Sequence, residues 1–406
     1  MSGYYWCANL YRLNKLACAG VIALGAVTAP AAAEGLSDTT QIHGFASQGL
    51  VSTDRNNFFG DSEDRFSAQF TELGINVSVL PNPDLKLAAQ ILSRRAGAVD
   101  NGSPRLDYAF VDYRLASSQS GNIGVQLGKT KNALGLYNDT RDVAFTRPSI
   151  ILPQSIYFDR TRNVAFSATG LGLHGESSSA NDDFFWQINT GMPEIADNST
   201  EYLLLGADRP GEFKARLSHI ARVMYEREGG RIRLAATTAR LKMHYAAGSG
   251  DPFSSGDFTF VPWVLSAQYN GQYWSFTSEY SQRETRLGGF GRLLPDTVLR
   301  GESYYLQSSY RFAPRWQGVI RYDVFYADKH DPDGQRFATA TGRPAHSRFA
   351  KDWTIGVRYD VTQSFMVGAE LHHINGTGWI SPQDNLNSAA TTQRWNMLLL
   401  QAAYRF

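Results

Sequence analysis

Strict alternation of apolar and other side chains is the pattern that most constrains the fold of this chain. From Trp353 to Val361 every second residue is apolar, and the residues between them are polar, charged or glycine. In the segment MLLLQAAYRF, apolar residues likewise stand at every second position from Leu398 to Phe406. A period of two is typical of strands with one apolar face. The pattern predicts an all-β protein.

Turn-forming residues divide the alternating segments in a regular rhythm. Asn-Gly and Gly-Gly pairs accept the positive φ of hairpin turns, and short turns are predicted at 80–84, 117–122, 176–183, 228–230, 270–272, 313–315 and 362–364. Longer polar segments separate the hairpins, at about 54–64, 97–103, 132–161, 192–212, 246–257, 287–298, 328–346 and 376–390. With one further strand at 40–53 and one at about 391–406, the rhythm predicts sixteen strands.

The first 33 residues have the features of a secretory signal peptide. Arg12 and Lys15 are their only charged residues, an apolar segment follows, and the sequence then reads Ala31-Ala32-Ala33. A basic start, an apolar middle and an A-x-A end are the marks of an export signal. We expect cleavage after Ala33 and one barrel domain over 34–406. A lipoprotein signal at Cys18 is the weaker alternative, because no apolar run precedes that cysteine.

The charge balance argues against a polyanionic partner such as nucleic acid. The chain has 39 Lys and Arg against 38 Asp and Glu, a net charge of +1. The signal segment holds two of the positive charges and no negative one, so the exported part is near −1. A nearly neutral chain offers no strong field for a polyanion. Both cysteines lie in the signal segment, so we expect no disulfide although the compartment would permit one.

Two β architectures compete for this pattern. In a soluble sandwich the apolar faces point to a packed core, whereas in a transmembrane barrel they point to lipid. Aromatic residues concentrate beside the short turns, as in a girdle at a lipid–water boundary. The girdle residues are Tyr269, Trp274, Phe312, Trp316, Tyr359, Phe365, Tyr404 and Phe406. Together with the even strand number, they favour a 16-stranded antiparallel transmembrane β-barrel with short periplasmic turns and long external loops.

The chain resembles the bacterial outer-membrane porins. The likeness is carried by the first strand, Ile42-His-Gly-Phe45, and by the alternate apolar positions Leu398, Leu400, Ala402, Tyr404 and Phe406. It implies a homotrimer in the outer membrane, in contact with lipid and lipopolysaccharide and inserted by the barrel-assembly machinery. It also implies passive diffusion of small hydrophilic solutes, with no enzymatic activity, cofactor or metal. The third loop, 132–161, would fold into the barrel, although it lacks the Pro-Glu-Phe signature common in porins and instead contains Asn138-Asp-Thr-Arg-Asp142.

Charged residues on the polar strand faces would line an aqueous lumen, because hydrocarbon excludes them. Basic residues outnumber acidic ones at these positions, which predicts a mild anion preference. We expect the pore constriction to contain Asp139, Arg141, Asp142 and Arg147 of the third loop and Glu72, Arg94, Asp112, Arg114, Arg358 and Arg405 of the wall. The alternative is that arginines of the loop pair locally with Asp139, Asp142 and Asp159, which would leave the selectivity weak.

Other functions are less well supported by the sequence. Gly170–Gly175 matches G-x-G-x-x-G but lies in an alternating segment with no helix after it, so no nucleotide site is expected. A substrate-specific channel for a sugar or organic anion is the main alternative, with Tyr305 and Phe325 along the path. An outer-membrane barrel enzyme is a weaker one. A receptor with a plug domain does not fit, because the first strand begins about ten residues after Ala33.

Overall fold

The computed structural model describes residues 39–162, 167–195 and 199–406, which form an antiparallel β-barrel. The predicted signal peptide lies outside the described residues. The described strands are β1 (Thr40–Thr53), β2 (Ser67–Asn82), β3 (Leu85–Ala96), β4 (Asp100–Asn101), β5 (Arg105–Ser118), β6 (Gly121–Lys131), β7 (Ser167–Ser178), β8 (Asp182–Pro193), β9 (Glu212–Arg227), β10 (Ile232–Ala246), β11 (Gly256–Asn270), β12 (Trp274–Gly288), β13 (Thr297–Ala313), β14 (Trp316–Tyr326), β15 (Phe349–Asp360), β16 (Phe365–Gly376) and β17 (Arg394–Arg405). Sixteen of them form the wall, and the two-residue β4 lies within the second loop.

The first strand closes the barrel. β1 pairs with β17 from Phe45 opposite Arg405 to Thr53 opposite Met397, and it also pairs with β2. A closed sheet gives the backbone groups of both terminal strands a partner, as an apolar environment requires. The predicted 16-stranded antiparallel barrel is therefore confirmed. Among the described helices, none is long and apolar enough to span a membrane.

All seven predicted short turns join neighbouring strands at one end of the barrel. The turn after β9 shows the local cause, because Glu228, Gly229 and Gly230 have φ values of 51°, 65° and 86°. Only residues that tolerate positive φ suit such a turn. The long loops lie at the other end, and two of them contain short helices that the sequence did not predict, α1 (Ser199–Leu205) and α2 (Gln335–Thr341).

The apolar side chains of the wall point outward. Leu127, Leu306 and Ile355 expose 62%, 60% and 62% of their surface. Residues of the opposite parity, such as Glu72 and Thr354, are fully buried. A soluble sandwich would show the reverse arrangement, because its apolar residues form the core. The outward apolar face fits a barrel surrounded by hydrocarbon.

The interior also contains apolar residues, and these concentrate near the long-loop end. One cluster joins the first and eighth loops to the wall around Phe59, Trp379 and Trp395. A second cluster lies across β9–β12 around Tyr245 and Phe290. Packed aromatic rings exclude water, so both clusters fill part of the lumen at this end.

Candidate functional site: the third loop and the lumen

The third loop, which begins at Asn132 after β6, lies inside the barrel against β12. The Tyr157 hydroxyl donates a 2.6 Å hydrogen bond to Glu279 Oε2, and the Leu136 N–H donates to Glu279 Oε1 at 3.0 Å. Tyr305 donates to the same carboxylate at 2.8 Å. Tyr157 and Glu279 are each 1% exposed. These hydrogen bonds compensate for the lost hydration of the buried carboxylate. The contact therefore fixes one side of the loop.

Further anchors connect the loop to the nearby strands β14 and β16. The Ser155 N–H donates to Asp323 Oδ2 at 3.2 Å, and the Ile150 N–H donates to Glu370. Arg321 Nη1 donates to Ser149 Oγ at 2.7 Å. The loop is thus hydrogen-bonded to β12, β14 and β16, and it also contacts Arg222 of β9 and Glu72 of β2, so it crosses the lumen. The expected insertion of the third loop is confirmed.

A buried network of charges holds the loop to β2 and β3. Glu72 Oε2 accepts a 2.9 Å hydrogen bond from Arg147, and Glu72 Oε1 lies 3.3 Å from Arg94 Nε and 3.6 Å from Arg162 Nη1. Arg94 also donates to Asp159 Oδ1 at 2.6 Å. Because these charges are buried, removing one of them would leave its partner as an unpaired ion, which is strongly destabilising in a dry interior.

Five of the ten predicted constriction residues belong to this network: Glu72, Arg94, Arg141, Asp142 and Arg147. Arg141 Nη2 donates to the Tyr157 carbonyl at 2.9 Å and lies 3.4 Å from Asp159, which is the local pairing considered as an alternative. Burial lowers the pKa of Arg141 to about 10, so it stays charged at neutral pH. These five side chains are dry and paired with protein groups.

The other five predicted residues lie apart from the network. Asp139 pairs with Arg222 at 3.1 Å, and Asp112 binds His174 at 3.0 Å. The remaining three have partners near the short-turn end: Arg114 lies 3.8 Å from Asp84, Arg358 lies 2.7 Å from Asp360, and the Arg405 guanidinium lies 4.3 Å from the Phe145 ring centre. Sequence parity placed the four wall residues on polar faces but could not tell how they would meet the loop, which Arg358 and Arg405 contact at Phe145.

A polar cavity of about 210 Å³ lies beside the loop and is walled by β6–β9. Its lining includes Gln126, His174, Gln187, Arg222 and Met224. At its edge Arg222 pairs with Asp139, His174 hydrogen-bonds with Asp112, and the Glu176 carboxylate accepts the Asn122 amide. Such a cavity can hold water and a small polar solute. Arg162 and Tyr157, which hold the loop through Glu72 and Glu279, were not among the predicted site residues.

The predicted girdle residues form a band at the short-turn end. Trp274 stacks on Tyr310 at 4.2 Å, and Trp316 lies 4.5 Å from Tyr359. Phe312 lies 6.2 Å from Trp316, which connects the two pairs. The other members are partly or fully exposed: Tyr269, Phe365, Tyr404 and Phe406. Tyr113, Phe184 and Tyr310 extend the band and could have been found by following outward parity on their strands.

The G-x-G-x-x-G segment lies in β7, as the alternation indicated. Gly170 stands between Gly128 and Gly191 on the adjacent strands, and a Cβ at Gly170 would lie 2.0 Å from the Thr190 carbonyl oxygen. The glycines therefore permit close strand packing rather than phosphate binding. Within the described residues, no group of three or more His, Cys, Asp or Glu could hold a metal ion.

Comparison with known proteins links this geometry to solved barrels. No family profile and no curated protein matches the sequence. The outer membrane channel DcaP of Acinetobacter baumannii is 14% identical, with 90% of this chain and 97% of that one covered and a TM-score of 0.54. An anion-selective porin from Comamonas acidovorans is 13% identical, with 91% and 99% covered and a TM-score of 0.57. Salmonella typhi OmpF is 15% identical, with 90% and 97% covered and a TM-score of 0.52.

These likenesses extend over nearly the whole of each chain, and they include barrels described as porins and as an outer membrane channel. At such low sequence identities these likenesses show the fold, and they do not identify the solutes or the partners of this chain. The resemblance seen in the sequence is thus confirmed for the architecture, and the chain has the barrel fold of the bacterial outer-membrane porins.

Proposed function

We propose that the protein is an outer-membrane porin, a water-filled channel through which small hydrophilic solutes diffuse passively. The observation that carries this proposal is the third loop, which is hydrogen-bonded both to Glu279 of β12 and to Glu72 of β2 inside a closed barrel whose outer face is apolar. A wall of sixteen strands alone would leave a wide aqueous bore. A loop fixed across it narrows the bore while the polar cavity beside the loop remains.

The channel is proposed to prefer anions mildly. The carboxylates of Glu279, Asp323 and Glu370 are buried, and each accepts an N–H group of the third loop. By contrast, Arg160, whose Nε is buried, and the partly exposed Arg348 form no ion pair with any described residue. Uncovered positive charge raises the local concentration of anions. Among the predicted constriction residues, Asp139 is the best placed to act on a passing ion, because it and Arg222 produce an electric field at the edge of the cavity.

Location and partners follow from the same proposal. The protein would reach the outer membrane after cleavage of residues 1–33, with the aromatic band at one lipid boundary and lipopolysaccharide around the other. The last strand would be recognised by the barrel-assembly machinery. A homotrimer is proposed by analogy with a structural neighbour, OmpT of Vibrio cholerae, which is described in a trimer form.

Single-channel recording tests the proposal. Purified protein added to a planar bilayer in KCl should give discrete steps with a linear current–voltage relation. In a KCl gradient, the reversal potential should shift modestly toward the chloride equilibrium value. A protein that inserts without conductance would overturn the channel, and a shift toward the potassium value would overturn only the anion preference.

A further inference from the structure

Arginine and phenylalanine side chains alternate in a group where the third loop meets β12 and β14. The Arg283 guanidinium lies 4.7 Å from the Phe325 ring centre and 5.4 Å from that of Phe158. The Arg160 guanidinium lies 5.8 Å and 5.4 Å from the same two rings. The rings meet edge to face at 5.3 Å. Two cations thus share one aromatic pair, which attracts both but neutralises neither.

Neither of these two arginines forms an ion pair with a described residue, although the charges of Glu302 and Asp323 act on Arg283. Arg160 makes no ion pair there, and its buried Nε has no hydrogen-bond partner. Arg283 donates to the Tyr326 carbonyl at 2.9 Å, to the Ser155 carbonyl at 3.4 Å and to the Ser303 hydroxyl. A buried guanidinium is normally paired with an acid. Burial, reinforced by the charge of Arg348, lowers the pKa of Arg160 to about 10.

The group continues toward the long-loop end through the seventh loop. The Arg348 guanidinium lies 4.6 Å from the Phe337 ring centre, and that of Arg343 lies 5.9 Å from the same ring. The nearest acids in this loop are Asp328 and Asp331, and the Asp331 carboxylate accepts the N–H groups of Arg336 and Phe337 at 3.1 and 2.9 Å. Positive charge therefore extends from the exposed Arg343 to the buried Arg283.

We propose that Arg160, Arg283 and Arg348, with the rings of Phe158 and Phe325, form a binding site for a small organic carboxylate. A planar guanidinium pairs well with a carboxylate through two N–H groups. The phenyl rings offer apolar contact to the rest of such a solute, which inorganic phosphate could not use. The inference rests on the proposed function, because a solute held here would be one that the channel admits. It also assigns to Phe325 a role beside an anion rather than along a sugar path.

Binding can be measured without conductance. Isothermal titration of the purified barrel in detergent would use benzoate as the probe, with inorganic phosphate and glucose as comparisons. The variants are Arg160→Gln and Arg348→Gln. Arg292→Gln is the matched control, because Arg292 is exposed in another long loop and its loss removes the same charge. Heat-dependent mobility in detergent gels confirms that each variant is folded.

Benzoate should bind the unaltered protein more tightly than phosphate does, and glucose should not bind. Arg160→Gln should raise the Kd for benzoate at least tenfold and Arg348→Gln several-fold, while Arg292→Gln leaves it unchanged. Absence of benzoate binding, or equal weakening by all three variants, would overturn the site. Tighter phosphate binding would overturn the choice of an organic carboxylate. These outcomes do not depend on bilayer recordings, so loss of the site and loss of the channel are separable.

Discussion

Tyr157 of the third loop and Glu279 of β12 are joined by a 2.6 Å hydrogen bond in a site that is closed to solvent. The same hydroxyl accepts the Leu136 N–H at 2.9 Å, and the same carboxylate accepts from Ser266 at 2.6 Å. The Tyr157 side chain therefore hydrogen-bonds both to the backbone of its own loop and to a carboxylate of the barrel wall. The path of the loop across the lumen depends on this pair.

Replacing Tyr157 by phenylalanine should loosen the loop. The change removes one donor from Glu279 and one acceptor from the loop backbone, and unsatisfied buried polar groups cost about 1–3 kcal/mol. We expect lower resistance to heat in detergent and more current noise in single-channel recordings. Tyr322→Phe is the control, because the Tyr322 ring packs on Trp353 at 4.5 Å and its hydroxyl makes no hydrogen bond with any described residue. Equal behaviour of the two variants would contradict the anchoring role of Tyr157.

Glu72→Gln should destabilise the barrel far more than an ordinary carboxylate substitution. Glu72 faces Arg94, Arg147 and Arg162 in a dry interior. Removing one partner of a buried ion pair costs about 3–5 kcal/mol. Urea-induced unfolding in detergent, followed by tryptophan fluorescence, measures the change in the free energy of unfolding.

The control for Glu72 is Glu63→Gln, because Glu63 is exposed at the end of the first loop. It should change stability by no more than about 0.5 kcal/mol, as for most surface substitutions. A loss below about 1 kcal/mol for Glu72→Gln would mean that the network tolerates a neutral partner.

Asp139→Asn should strengthen the preference for anions. Asp139 and Arg222 are 3.1 Å apart and both partly exposed at the cavity edge. Neutralising the aspartate leaves the arginine charge uncompensated toward the cavity, whereas Arg222→Gln leaves the aspartate uncompensated. Reversal potentials in a KCl gradient should therefore shift in opposite directions for the two variants. Shifts of the same sign, or none, would place the pair outside the ion path.

Leu127→Arg should destabilise the inserted barrel, and Gln126→Arg should not. The two residues are neighbours on β6, but Leu127 is 62% exposed on the outer face while Gln126 lines the cavity and donates to Asp112 at 3.0 Å. An arginine facing mid-bilayer costs about 2–4 kcal/mol. Refolding into phosphatidylcholine vesicles, followed by titration with denaturant, would reveal the difference. Similar losses for both variants would contradict the assigned faces.

The sequence predicted the barrel wall well, because the face on which a strand residue lies follows from its odd or even position along the strand. The turns at 228–230 and 270–272, for example, lie where Gly-Gly and Asn-Gly indicated, and Thr40–Thr53 matches the first predicted strand. Once the turns and the alternation are known, the strand order of an antiparallel barrel follows without further choice.

The interior of the site could not be predicted in the same way. Parity places Glu72 and Arg358 on polar faces alike, and both contact the loop, yet Glu72 is fully buried by it and Arg358 stays partly exposed. That difference depends on how an irregular loop crosses the lumen, and irregular loops have no sequence period. Aromatic residues such as Trp379 packed inside the barrel were missed for the same reason.

The central claim is that the two faces of one strand lie in different environments, with lipid outside the barrel and water inside it. Residues 34–406 contain no cysteine, so Gln126→Cys and Leu127→Cys each introduce a single thiol. The most direct measurement is the rate at which a charged, water-soluble methanethiosulfonate reagent modifies each thiol in proteoliposomes. The cysteine at 126 should react quickly and the cysteine at 127 at least a hundredfold more slowly. Equal rates, or faster reaction at 127, would show that the apolar face is not in lipid and would contradict the channel.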